Sequence, residues 1–144
     1  MATQYTAGLT TGQVLTAAIM NQIGATWETW TPTVTANAGT ITSGTVSLAR
    51  YARIQNLVFV QFGYSVSNVG TATGAGLVTT LPITPSTAII NGSVLGCGRE
   101  YVSVGFMLQA AKTSATQVTM YDYLGSGWLL SNRGGLVNMC YEAA

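Results

Sequence analysis

Residues 50–66 read RYARIQNLVFVQFGYSV, and this stretch decides the fold class. Arg50-Tyr51-Ala52-Arg53-Ile54 and Leu57 to Val66 alternate β-branched or aromatic residues with smaller or polar ones. That is the period of a strand with one buried face. Gln55-Asn56 between them reads as a tight turn, so the pair predicts a β-hairpin. Leu57–Val66 is the strongest strand of the chain.

The same texture extends outward. Glu28 to Thr35 alternates and reads as one strand, with Pro32 suggesting a sheet edge, since proline cannot donate to a ladder. Asn37-Ala38-Gly39 reads as a turn and Thr40–Leu48 as a strand. Residues 68–76, NVGTATGAG, read as a loop or bulged hairpin, followed by a short strand over Leu77–Leu81 that stops at Pro82. Further strands are expected over Ile89–Cys97, Tyr101–Ala110, Thr116–Leu124 and Leu136–Glu142, with a brief one at Trp128–Leu130. A turn is expected near Arg99-Glu100. Eight to ten short strands at hairpin spacing predict an all-β domain, an antiparallel β-sandwich or jelly-roll-like fold spanning residues 27–144. No internal repeat is evident.

Residues 1–26 have a different pattern. Small and polar residues open the chain as an arm. Val14, Leu15, Ala18, Ile19 and Ile23 then fall at spacings that place them on one face of a short helix. Thr10 or Thr11 would cap it and Gly24 would end it. So short a helix needs something to dock on, either its own domain or a neighbouring subunit or larger particle. Val14, Leu15, Ile19, Ile23, Trp27 and Trp30 are the candidate assembly and anchoring residues.

Composition narrows the function. The chain has 144 residues, of which 48% are apolar and only 6% charged, with a net charge of +1. An average domain carries about 25% charged residues. A surface so poor in charge favours association, and Thr, Ser, Asn and Gln hydrogen-bond across an interface without the cost of burying ions. The five basic residues make no stripe, which argues against nucleic-acid binding. No apolar run is long enough to span a bilayer, and no signal-peptide pattern opens the chain. Synthesis in a cytoplasm is therefore expected. Cys97 and Cys140 sit in apolar strand-like contexts and are expected as buried free thiols.

Catalysis finds few residues to work with. There is no histidine, which removes the commonest general base and metal ligand. Glu28, Glu100, Asp122 and Glu142 are the four acids, and nothing in their spacing marks a glycosidase pair. A nucleophilic cysteine would lack an activating base. No metal motif appears, and the glycines of 70–76 lack a phosphate-loop context. The reading is a non-enzyme without catalytic, cofactor or metal site. Tyr121, Tyr123 and Trp128 are the candidate ligand-facing aromatics, and the loops at 68–76, 99–101 and 125–135 are those a binding module would use.

Four features together resemble small tail-fibre or minor virion proteins of tailed bacteriophages: Met20-Asn21 at a helix end, Trp27 to Thr35, Arg50 to Val58, and Leu81-Pro82. The resemblance covers roughly residues 12–82. It implies a virion structural protein, a β-sandwich that is often trimeric, with itself and other phage virion proteins as partners. The short length and initial methionine add a second placement, capsid decoration, with residues 1–26 as the anchor. The alternative reading is a receptor-binding module for a host cell-surface glycan.

Overall fold

The computed structural model describes residues 26–144. The expected helix with Val14, Leu15, Ile19 and Ile23 lies outside the described residues. Nine strands follow in order: β1 (Glu28–Thr29), β2 (Val34–Ala36), β3 (Ser43–Ile54), β4 (Leu57–Asn68), β5 (Leu77–Thr80), β6 (Val94–Glu100), β7 (Met107–Lys112), β8 (Gln117–Asp122) and β9 (Arg133–Glu142). They form one antiparallel sheet in the order β1-β3-β4-β9-β6-β7-β8-β5-β2. The sequence pattern pointed to a sandwich, but a single hydrogen-bonded ladder runs through all nine strands.

The sheet has to curl. β1 and β2 are its two outer strands, yet only Trp30–Thr33 separates them in the chain. Five residue steps reach at most about 18 Å, whereas nine flat strands would span roughly 38 Å. The short crossing is held on both sides. Trp30 N–H donates to the Ala49 carbonyl, and Thr80 N–H donates to the Thr33 carbonyl at 3.2 Å. Glu28–Thr35 is therefore not one strand. Pro32, with no N–H to offer, sits in the crossing between the two edges.

The hairpin of β3 and β4 appears as its alternation predicts, closed by Gln55 in a left-handed conformation. β3 is one long strand, with register irregularities at Ser43/Gly44 and between Val46 and Leu48. Inward on β4 point Val58, Val60, Phe62, Tyr64 and Val66; inward on β9 point Val137, Met139 and Tyr141. Leu77, Leu108, Val118 and Met120 complete the core from the other flank. β6 lies close against β9 because Gly96 and Gly98 leave room. A Cβ on Gly98 would stand 1.8 Å from the Leu136 carbonyl oxygen.

Antiparallel pairing sorts the connections into two groups. Residues 37–42, 69–76, 101–106 and 123–132 all lie at one end, the loop end. The Gln55-Asn56 turn, residues 81–93 and residues 113–116 lie at the other, the turn end. β1 pairs with the part of β3 that runs into the Gln55-Asn56 turn. Thr26, where the described chain begins, therefore lies toward the turn end.

Candidate functional site

At the loop end, two carboxylates organise two loops. Glu100 ends β6 and is fully buried. Its Oε1 accepts the N–H groups of Val102 and Ser103, both at 2.9 Å, and its Oε2 those of Val104 and Gly105, both at 2.7 Å. Burial pushes the carboxyl pKa up. The four N–H donors more than offset this and hold it at about 2. Asp122 ends β8, and its Oδ1 accepts the N–H groups of Leu124 and Ser126 at 2.9 and 2.7 Å. The side chains at the two tips face solvent: Tyr101, Val102 and Val104 on one, Tyr123 and Leu124 on the other.

The candidate aromatics divide. Tyr123 is exposed on the braced turn. Tyr121 is half-buried, its hydroxyl accepting from Asn37 Nδ2 at 3.3 Å. Trp128 is only 2% exposed, so the ligand-facing role expected of it is corrected. Its indole N–H donates to the Met120 carbonyl at 3.0 Å, and it plugs the core beneath the loops with Leu129. A glycine-rich flank, Gly125-Ser126-Gly127, lets the chain turn inward there, and Gly127 meets the Gly74 backbone too closely for any side chain.

Trp27 and Trp30 flank β1 in different settings. Trp30 packs against Tyr51 and Phe62, at centroid distances of 6.3 and 6.2 Å. Among the described residues its indole N–H has no hydrogen-bond partner. Trp27 is about half exposed on the outer face, with the Arg50 guanidinium 4.7 Å from its ring centroid.

Beside Trp27, the outer faces of β4 and β9 form a groove of about 330 Å³, lined by Trp27, Ala52, Phe59, Gln61 and Asn138. Arg50 Nε donates to Gln61 Oε1 at 2.6 Å, and Gln61 Nε2 donates to Asn138 Oδ1 at 2.9 Å. These three side chains make a polar row across three strands. Sequence offers no signal for it, because Gln61 and Asn138 meet only through register. Cys140 pairs with Phe59, and Cys97 with Asn138. Both cysteines are free and exposed on this outer face, not buried as expected.

The remaining acids differ in setting. Glu28 Oε2 accepts the Tyr51 hydroxyl at 2.6 Å; Glu142 is exposed at the end of β9. Among the described residues no group of three or more His, Cys, Asp or Glu gathers to hold a metal. No described helix is long and apolar enough to cross a membrane.

The fold and its surfaces thus define a curled antiparallel β-domain with a braced loop end and an amide-floored outer groove. No family model, curated protein or solved structure matches the chain.

Proposed function

We propose that this chain is a non-enzymatic structural subunit of a bacteriophage virion. It is a homotrimeric tail-fibre or capsid-decoration component, made in the bacterial cytoplasm and attached to other virion proteins through residues 1–26. In this reading the flanks of the curled sheet pack face to face in the manner of a β-sandwich.

The observation that carries the proposal is the polarity of the domain. The described chain begins toward the turn end, while four connections gather at the opposite end. A subunit tethered at one end and presenting loops at the other suits a particle surface. The charge deficit supplies the second support, since trimer contacts would cover apolar side chains such as Ile54, Leu57 and Val94 that stand exposed on the single chain. The acids add a third: Glu100 and Asp122 are committed to backbone donors in their own loops, which suits architecture.

Removing residues 1–26 tests the attachment. The β-domain is expected to stay folded and to be lost from particles; normal incorporation of the shortened chain would overturn the anchoring role. Static light scattering tests the trimer. A mass of about 45 kDa, three chains of 15.0 kDa, is expected.

A second reading, recognition of a host cell-surface glycan, is favoured by the braced loop tips. Glu100 and Asp122 fix their loops before any partner arrives, so little ordering entropy would be lost on binding. Tyr123 offers an exposed aromatic there.

A further inference from the structure

We infer that the outer groove between Trp27 and Asn138 is a binding site for a neutral sugar ring. The inference rests on the glycan-recognition reading but places a site on the β4–β9 face, away from the loops.

Three observations converge. The first is shape and lining: at about 330 Å³ the groove lies at the small end of ligand sites, a size for one or two sugar rings. The second is the pairing of surfaces. Trp27 and Phe59, 47% and 37% exposed, supply apolar faces, and Gln61 and Asn138 supply amides beside them. A pyranose has the complementary make-up, with an apolar C–H face and a hydroxyl rim. None of the lining residues is charged, so the ligand they suit is neutral.

The third is preorganisation. Arg50 donates to Gln61, and Gln61 donates to Asn138, all in one direction. The chain of bonds fixes both amides and polarises the last one. Asn138 Nδ2 is left as a donor with no acceptor among the described residues, on the groove wall where a sugar hydroxyl would lie. Arg50 also braces the Trp27 ring from 4.7 Å. The groove is thus held in shape without a ligand.

The test is binding of the full chain to an array of neutral hexose and N-acetylhexosamine oligosaccharides. Affinity for the best array member is then compared among Trp27→Ala, Asn138→Asp and Tyr123→Ala. Asn138→Asp keeps the shape but turns the free donor into an acceptor. Both groove variants are expected to lose about tenfold or more in affinity, the equivalent of one or two lost polar or stacking contacts, while Tyr123→Ala binds as wild type. Near-ultraviolet circular dichroism checks that each variant is folded. Sugar is also expected to slow alkylation of Cys140, which borders Phe59. Binding lost in Tyr123→Ala but kept in both groove variants would overturn the groove and leave glycan recognition standing at the loops. A wild-type chain that binds no array member would overturn both. A Trp27→Ala chain that loses trimer mass, with no sugar bound by wild type, would make the groove a contact between copies and overturn the inference.

Discussion

Glu100 and Asp122 stand at the same end of the sheet, on β6 and β8 either side of β7, and each carboxylate accepts backbone N–H groups from the loop that follows it. Glu100 takes four and Asp122 takes two. Acid side chains serve here as internal scaffolds for loops whose tips are apolar. Without the carboxylates these loop amides would have to turn to water, and the bonds that fix the loops' shape would be gone.

Replacing Glu100 with Gln removes the charge and turns one accepting oxygen into a donor facing two backbone N–H groups. A loss of about 1–3 kcal/mol is expected, read as a lower urea midpoint. Amide exchange at Val102–Gly105 should quicken with it. The acid dependence follows from the lowered pKa. In the folded chain it is about 2 against 4.5 for the free group, so the stabilisation is present above pH 4.5. It is lost as pH falls from 4.5 toward 2. Glu100→Gln should lose that part of the acid sensitivity; an unchanged acid transition would contradict the bracing role.

Trp128 tests whether the loop end is plugged or open. Trp128→Ala should cost about 3–5 kcal/mol through the cavity it leaves, with the Met120 carbonyl stranded as well. Trp128→Phe should cost less. A Trp128→Ala chain of wild-type thermal stability would show that the ring does not belong to the core.

The close approach of β6 to β9 makes Gly98 sensitive. A Cβ there meets the Leu136 carbonyl oxygen at 1.8 Å and the Val137 Cα at 2.6 Å, all backbone that cannot swing aside. Gly98→Ala should therefore fail to give soluble folded protein. Gly74 is the control: it has open space around it but a φ of +73°, so Gly74→Ala should cost only about 1–2 kcal/mol.

Tyrosine ionisation should be staggered. The Glu28 carboxylate that accepts its hydroxyl, then burial, raises the pKa of Tyr51. Burial raises Tyr64 and, more strongly, Tyr141, whose hydroxyl donates to the Ile83 carbonyl. Each of these phenols is held protonated in the folded chain, so its stabilisation is present below pH 10 and is lost as pH rises above it. Phenolate absorbance should show these three tyrosines ionising only above pH 10, with Tyr141 appearing together with unfolding. Tyr141→Phe should blunt the alkaline loss of stability.

What sequence reveals here depends on whether one strand face is buried. Val58, Val60, Phe62, Tyr64 and Val66 alternate cleanly with outward residues, so the β3–β4 hairpin was legible. The segment Tyr101–Phe106 alternates equally well, yet forms a loop, because the Glu100 carboxylate captures the N–H groups a ladder would have used. Glu28–Thr35 reads as one strand because local propensity cannot tell that its halves join opposite edges of a curled sheet. Cys97 and Cys140 look buried because their neighbours are apolar, but the outer face of β4, β9 and β6 is itself partly apolar. For the groove, the sequence marks Trp27 only as an assembly residue and gives no sign of the amide row. Gln61 and Asn138 are 77 residues apart and meet only when the register of β4 on β9 is set.

The protein composition of particles purified from the lysate in which this chain is made tests the central claim most directly. The account predicts the chain in those particles at a fixed stoichiometry, in multiples of three, and lost from them when residues 1–26 are removed. Particles that form normally and carry none of the chain would contradict it.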